Sequence, residues 1–219
     1  MKRFNFASAV SLLVLVIAGC SDPADKVHKS SAAEPAATNA TAEQTIAVNE
    51  YVIRAGDSTI GFVGSKVTGS HDGGFKNFAG TIQVADGKIV GAPVIKINMN
   101  SIWSDNEKLT GHLKSADFFD VTKYPTSTFT VTKIEPADGQ HKVTGNLEMH
   151  GETKSISFPA KVEVTDQVAT VNAEFAINRK DFNINYPGKQ DDLIRDNVVL
   201  KLAIKATPGA ARPEDQIAN

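Results

Sequence analysis

Apolar and polar side chains alternate along most of the chain between about residues 46 and 207. In "TKSISFPAKVEV", Ile156, Phe158, Ala160, Val162 and Val164 share one face, with Lys154, Ser157, Lys161 and Glu163 among the residues between. In "ATVNAEFAINR", Ala169, Val171, Ala173, Phe175 and Ile177 oppose Thr170, Asn172, Glu174 and Asn178. "KVTGNLEMHG", "NVVLKLAIKA" and "VIKINMN" repeat the rule, with Leu147, Met149, Leu200, Leu202, Ile95 and Ile97 on the apolar side. A period of two is that of a strand with one buried face. Turn signals separate the runs: Asp72-Gly73-Gly74, Asp86-Gly87, Asp138-Gly139, His150-Gly151 and Thr165-Asp166. Many strands joined by short turns predict an antiparallel sheet. Such a sheet must sandwich or close on itself to hide its apolar face and edges. The fold class is therefore all-β, and about eight or nine strands suit a small barrel.

One segment breaks the alternation. Ser104 and Glu107 read as an S-x-x-E capping box. Leu109, Leu113 and Ala116 follow at helical spacing, with His112 beside them. One short helix is expected near residues 105–115, set as a plug or lid at one barrel end. Asp117 and Asp120, just beyond it, read as anchors of turn backbone. Phe118 and Phe119 would close that end of the barrel.

Composition changes the picture mainly at the ends. Of 219 residues, 41% are hydrophobic and 22% charged, with a net charge of −2, so no basic face for nucleic acid is expected. Lys2 and Arg3 precede an apolar run, Ala7 to Ala18, too short for a comfortable membrane span. The run ends in "VIAGC", which is similar to the lipobox of bacterial lipoproteins. That resemblance implies a signal peptide over 1–19, cleavage before Cys20, and a lipid-modified cysteine with an acylated (palmitate-type) amino terminus. Cys20 is the only cysteine, so it has no internal disulfide partner. Several acyl chains anchor a protein stably where one would not. Localisation is expected in the cell envelope, facing the periplasm. Ser21 after the cysteine favours the outer membrane if the host is Gram-negative. Residues 20–45 hold few large apolar side chains and read as a disordered tether with a reach of about 25–30 Å. The folded domain is placed at 46–207, and 208–219 reads as a flexible tail.

Little in the sequence points to catalysis or metal. "GDSTIG" lacks the G-x-S-x-G spacing, and Ser58 sits at the start of an alternating strand. His28, His71, His112, His141 and His150 are isolated, without metal-ligand spacing. No enzyme activity, metal or cofactor is expected. The inward faces are mostly Val, Ile, Leu, Phe, Met and Ala. A solid core and an apolar pocket share that pattern, and a solid core is the commoner outcome. An apolar pocket would select a hydrocarbon, with each buried isoprene unit worth roughly 4 kcal/mol at ~0.8 per carbon.

The order of motifs resembles the YceI-like family of secreted polyisoprenoid-binding proteins, over about Tyr51 to Ala206. The most specific block is "HLKSADFFDVTKYPTSTF"; "GDSTIGFVGSKV", "FKNFAGTI", "VTGNLEMHGETKSISFP", "INRKDFNI" and "DNVVLKLAIKA" support it. Matching positions include His112, Leu113, Asp117, Phe118, Phe119, Tyr124, Pro125, Arg179, Asp181 and Phe182. The resemblance implies a lipocalin-like, extended antiparallel barrel with a quinone or polyprenyl lipid in an apolar channel, for storage or transport. Departures fall at polar positions: Asp57 and Ser58 adjacent, without the His that stands between them in an Asp-His-Ser, "KLTG" ahead of His112, "SIWS", and "DFNINYPGKQDD". They bear on the head group more than the tail. The lining expected from large inward side chains is Phe62, Phe75, Phe78, Ile97, Phe129, Leu147, Phe158, Phe175 and Leu202. His112, Leu113, Phe118, Phe119, Arg179 and Phe182 join it from the family match. The expected partners are an isoprenoid lipid and, through Cys20, a membrane. The alternative is a solid-core envelope module that engages a protein through its loops. A head-group enzyme using His112, Asp117 and Arg179 is the third reading.

Overall fold

The computed structural model describes residues 21–37 and 47–211. In chain order, a short β1 (His28–Lys29) precedes β2 (Asn49–Arg54), β3 (Thr59–Lys66), β4 (Gly69–Phe75) and β5 (Phe78–Ala85). Then come β6 (Lys88–Asn98), β7 (Ile102–Ser104), helix α1 (Glu107–Lys114), β8 (Thr126–Ala137), β9 (Gln140–Met149) and β10 (Glu152–Val164). β11 (Ala169–Asn178), a small hairpin of β12 (Gly188–Lys189) and β13 (Asp192–Leu193), and β14 (Asn197–Pro208) complete the series.

The strands close into an antiparallel barrel of eight staves. β2 and β3 act as one interrupted stave, as do β4 with β5 and β6 with β7. β14 closes the ring, paired with β11 on one side and with β3 and then β2 on the other. Asp86-Gly87, Asp138-Gly139 and His150-Gly151 all have positive φ, as tight hairpin turns of the primed type require. Thr165 bonds Val168 across the β10–β11 turn.

Asp72-Gly73-Gly74 is not a turn. Those residues lie inside β4, and the chain reverses at Val67-Thr68 instead. Gly73 is there for space: a Cβ would meet Phe62 Cζ at 2.3 Å and the Trp103 carbonyl oxygen at 2.5 Å. The helix begins where expected, but the cap is Asn106, whose side chain accepts from the Leu109 N–H at 3.1 Å. Ser104 cannot cap, because it still belongs to β7 and pairs with Gly73. Its hydroxyl donates to the Asn106 carbonyl at 2.8 Å.

Two core regions stack along the barrel. At the end holding the β10–β11 turn, Tyr51, Ile53, Phe78, Ile82, Val84 and Ile204 pack together. The Tyr51 hydroxyl donates to the Thr165 carbonyl at 2.8 Å and ties that end. At the α1 end, Phe62, Leu147, Phe158, Phe175, Ile177 and Phe182 form the second cluster.

The wall has a seam. β10 and β11 pair only from Lys161↔Asn172 to Val164↔Ala169. Along β10, Ser155 and Ser157 direct their N–H groups toward the seam, so Pro159, two residues on, presents no donor there. The N-terminal segment occupies the gap. β1 pairs with β11 in parallel, at His28↔Phe175 and Lys29↔Ala176. On the other side, Ser157 donates to Ser30 Oγ at 3.1 Å. Ala33 and Ser155 exchange backbone bonds of 2.8 and 2.9 Å. Asn146 holds the Ala36 backbone by two bonds, 2.8 and 2.9 Å.

Residues 21–37 therefore are not a loose tether. Their polar composition does not matter, because backbone pairing to open sheet edges holds them. The tail also begins later than expected: β14 runs to Pro208, and Gly209 donates to the Glu50 carbonyl at 3.0 Å. The signal peptide, Cys20, residues 38–46 and residues 212–219 lie outside the described residues.

Candidate ligand-binding site

The α1 end of the barrel encloses a cavity of about 380 Å³. Ile60 and Phe62 of β3, Phe75 of β4, Ile97 of β6, Leu147 and Met149 of β9, Ile177 of β11 and Leu200 of β14 form its walls. Leu109 and Leu113 of α1, with Phe118 and Phe119 after it, roof one side. The loop after β11 covers the other with Ile184, Tyr186 and Ile194. Cavities of 300–1,000 Å³ lined by apolar side chains with a few polar groups are the usual form of a small-ligand site. The barrel is thus neither wholly solid nor a full-length channel: one end is packed and the other is hollow.

His112 sits in the roof. Its Nε2 is 2.9 Å from Asp117 Oδ2, and its ring meets Phe118 and Tyr186 edge-on, with centroids 4.9 and 4.8 Å apart. Asp117 therefore orients a histidine instead of anchoring turn backbone. The Ser115 hydroxyl does that work, donating to the His112 carbonyl at 2.7 Å. A second pair lies at the rim, His71 Nδ1 at 2.7 Å from Asp105 Oδ1. The His71 bond, with a backbone N–H from Asp72, holds the Asp105 carboxyl below its usual range.

Arg179 is a clamp. It is 4% exposed. Its guanidinium donates to the carbonyls of Arg195, Ile184 and Ile194 at 3.1, 2.6 and 3.4 Å, and to Asp196 Oδ1 at 3.4 Å. These bonds fasten the loop from Ile184 to Asp196 over the cavity. Burial pushes its pKa down, opposed by Asp196. Arg179 lines the cavity, but four of its donor contacts are committed to protein.

Of the lining expected from sequence, Phe62, Phe75, Ile97, His112, Leu113, Phe118, Phe119, Leu147 and Arg179 reach the cavity. Six do not. Phe78 belongs to the packed end. Phe129, Phe158 and Phe175 form a ring series behind the lining, with Phe158 and Phe175 stacked at 3.9 Å across the seam. Phe182 is fully buried, and Leu202 packs between the two clusters. Position along the barrel is the reason: these side chains meet other large side chains and fill the interior instead of bordering space.

Sequence reasoning missed the rim, which Ser65, Lys66, Tyr186, Lys189, Asp192 and Ile194 build. "DFNINYPGKQDD" has no strand period, so no face could be assigned to it. The available signal was that the same stretch departs from the family pattern. Lys66 and Asp192 form an ion pair across this rim, and Asp192 also accepts from the Thr68 hydroxyl at 2.9 Å. Among the described residues there is no cluster of three or more metal-ligating side chains. No helix among them is long and apolar enough to cross a membrane.

An antiparallel, lipocalin-like barrel with a hollow apolar end defines the class of ligand-holding β-barrels. Within that class the match is specific: the YceI-like domain model covers residues 51–206, and the chain belongs to that family. A UPF0312 protein of Pseudomonas putida is 35% identical over 124 residues, 53% of this chain and 65% of that protein. Protein YceI of Salmonella arizonae is 35% identical over 119 residues, 51% of this chain and 62% of the relative. The alignments thus span less than two thirds of those relatives. BcnA of Burkholderia cenocepacia shares the fold with a TM-score of 0.64 at 24% identity, over 71% of this chain and 99% of its own. A polyisoprenoid binding domain from Saccharophagus degradans, implicated in plant cell wall breakdown, superposes at a TM-score of 0.61 and 17% identity. That match covers 74% of this chain and all of the other.

Proposed function

We propose that this chain is a membrane-anchored envelope lipoprotein that binds an isoprenoid lipid, of quinone or polyprenyl type, for storage or transport. The carrying observation is the apolar cavity of about 380 Å³, which opens among polar rim groups. The tail lies against Phe62, Leu147, Ile177 and Leu200. The head group stays at the rim, within reach of His112, Tyr186 and Lys189. Two or three buried isoprene units would gain about 8–12 kcal/mol, enough to offset an association cost of about 4–15 kcal/mol only in part or in full. Affinity therefore depends on tail length. The polyisoprenoid-binding neighbour of the same fold supports the reading. The lipobox-like stretch ending at Cys20 supports the anchor and a periplasmic-side location. Binding is preferred to catalysis because the cavity walls are mostly apolar and Arg179 is committed to backbone carbonyls.

Native mass spectrometry of the exported chain tests this. Release of an isoprenoid lipid is expected. Protein that stays empty after growth and after incubation with a quinone refutes it.

A further inference from the structure

The beginning of the described chain is fixed at the cavity rim. Asp22 is 9% exposed and caps a short 3-10 turn by accepting from the Ala24 N–H at 3.0 Å. Ser65, at the end of β3, donates to Asp22 Oδ1 at 3.4 Å, and Arg195 lies 3.7 Å from Oδ2. Ala24 is fully buried against Val63, Ala176 and Val199 on the outer wall. Cys20 precedes Asp22 by two residues, which span at most about 7 Å.

Two apolar side chains project beside this point. Val67, in the β3–β4 turn, is 54% exposed, and Leu193, in β13, is 50% exposed. They belong to one surface: Val67 donates to the Leu193 carbonyl at 3.2 Å, and Arg195 to the Ser65 carbonyl at 2.9 Å. Ser65 is itself a rim residue, and Val67, Leu193 and Arg195 are chain neighbours of the rim residues Lys66, Asp192 and Ile194. An attached acyl chain, an exposed apolar pair and the open end of a lipid cavity would thus share one face.

We propose that this face rests on the surface of a phospholipid bilayer, with the cavity mouth turned toward it. An isoprenoid tail then passes between bilayer and barrel without crossing bulk water. The proposal rests on the lipoprotein reading above, and commits beyond it to an orientation. A domain on a free tether would show none.

The test uses the full chain, exported and acylated, in vesicles of phosphatidylethanolamine and phosphatidylglycerol with spin-labelled lipid. Acylation blocks Cys20, so Val67→Cys provides the one thiol for a fluorescent probe. Val48→Cys is the comparison, because Val48 is 51% exposed and lies at the opposite barrel end, beside β2. Several-fold stronger quenching at Val67→Cys is expected, and Leu193→Cys reports the same face should Val67→Cys not fold. Equal quenching at both ends, or stronger quenching at Val48→Cys, overturns the proposal. Mass spectrometry of the same samples separates the premises. A Cys20 without acyl chains overturns the docking. An empty cavity with the quenching preference intact supports the docking and sinks only the isoprenoid cargo.

Discussion

A bulky substitution distinguishes hollow barrel from packed barrel. Leu200 and Ile204 lie on the same inward face of β14, but Leu200 borders the cavity and Ile204 is buried in the packed cluster. Leu200→Trp adds its ring to open space. Ile204→Trp adds it where Tyr51, Phe78 and Ile82 leave none. Overpacking costs about 1–3 kcal/mol. In a domain of this size each kcal/mol shifts Tm by about 2–4 °C, so Ile204→Trp should lower it by about 2–12 °C. Leu200→Trp should leave the Tm of lipid-free protein within about 3 °C of the parent. Binding should respond in the opposite order. The new ring displaces roughly one isoprene unit, worth about 4 kcal/mol. That is a loss of affinity on the order of 10³-fold. Thermal unfolding of extracted protein and titration with a fluorescent quinone analogue measure the two effects. Leu200→Trp that destabilises as much as Ile204→Trp, or that binds as the parent does, would refute the cavity argument.

Three further outcomes follow from other parts of the molecule. Gly111→Ala, inside α1 with no atom within 4 Å of the added Cβ, should stabilise by about 1 kcal/mol, seen as a raised denaturant midpoint. Arg179→Met should cost about 3–5 kcal/mol, since three carbonyls lose a buried charged donor, and hydrogen exchange should rise first in residues 184–196. The Lys66 ammonium, then the Thr68 hydroxyl and N–H, hold the Asp192 carboxyl below its ordinary value. A depressed carboxylate stabilises above its unfolded pKa of about 4 and loses that contribution as pH falls through the folded value. The protection of amides in the β12–β13 hairpin, corrected for the intrinsic exchange rate, should therefore fall below about pH 4, and Asp192→Asn should remove that fall.

The barrel was legible because its rule is local. Val143, Leu147 and Met149 point inward for the same reason that Lys142 and Glu148 do not, and closure follows from hiding edges. Helix α1 was legible from Leu109 and Leu113, although Asn106 and not Ser104 caps it. The cavity was not, because Phe62 and Phe78 look alike in the pattern: one borders space and the other meets Ile82 and Ile204. Gly73 misled for a related cause. In sequence a glycine pair signals a turn, and here it makes room for the Phe62 ring. The docking of residues 21–37 left no hydrophobic trace, since backbone bonds carry it. Its one sequence signal was Pro159, a residue that a fully paired central strand would not tolerate.

That proline has a consequence for how the protein reaches its final shape. With no donor at Pro159, β10 and β11 cannot zip past Lys161 by themselves. The wall is completed by a segment that lies more than a hundred positions earlier in the chain. A molecule cut within residues 21–37 would keep its family domain and still expose two raw sheet edges, a hazard for aggregation. Integrity of the N-terminal segment and solubility of the barrel are thereby made a single trait: chains cut within that segment become the ones most prone to aggregate.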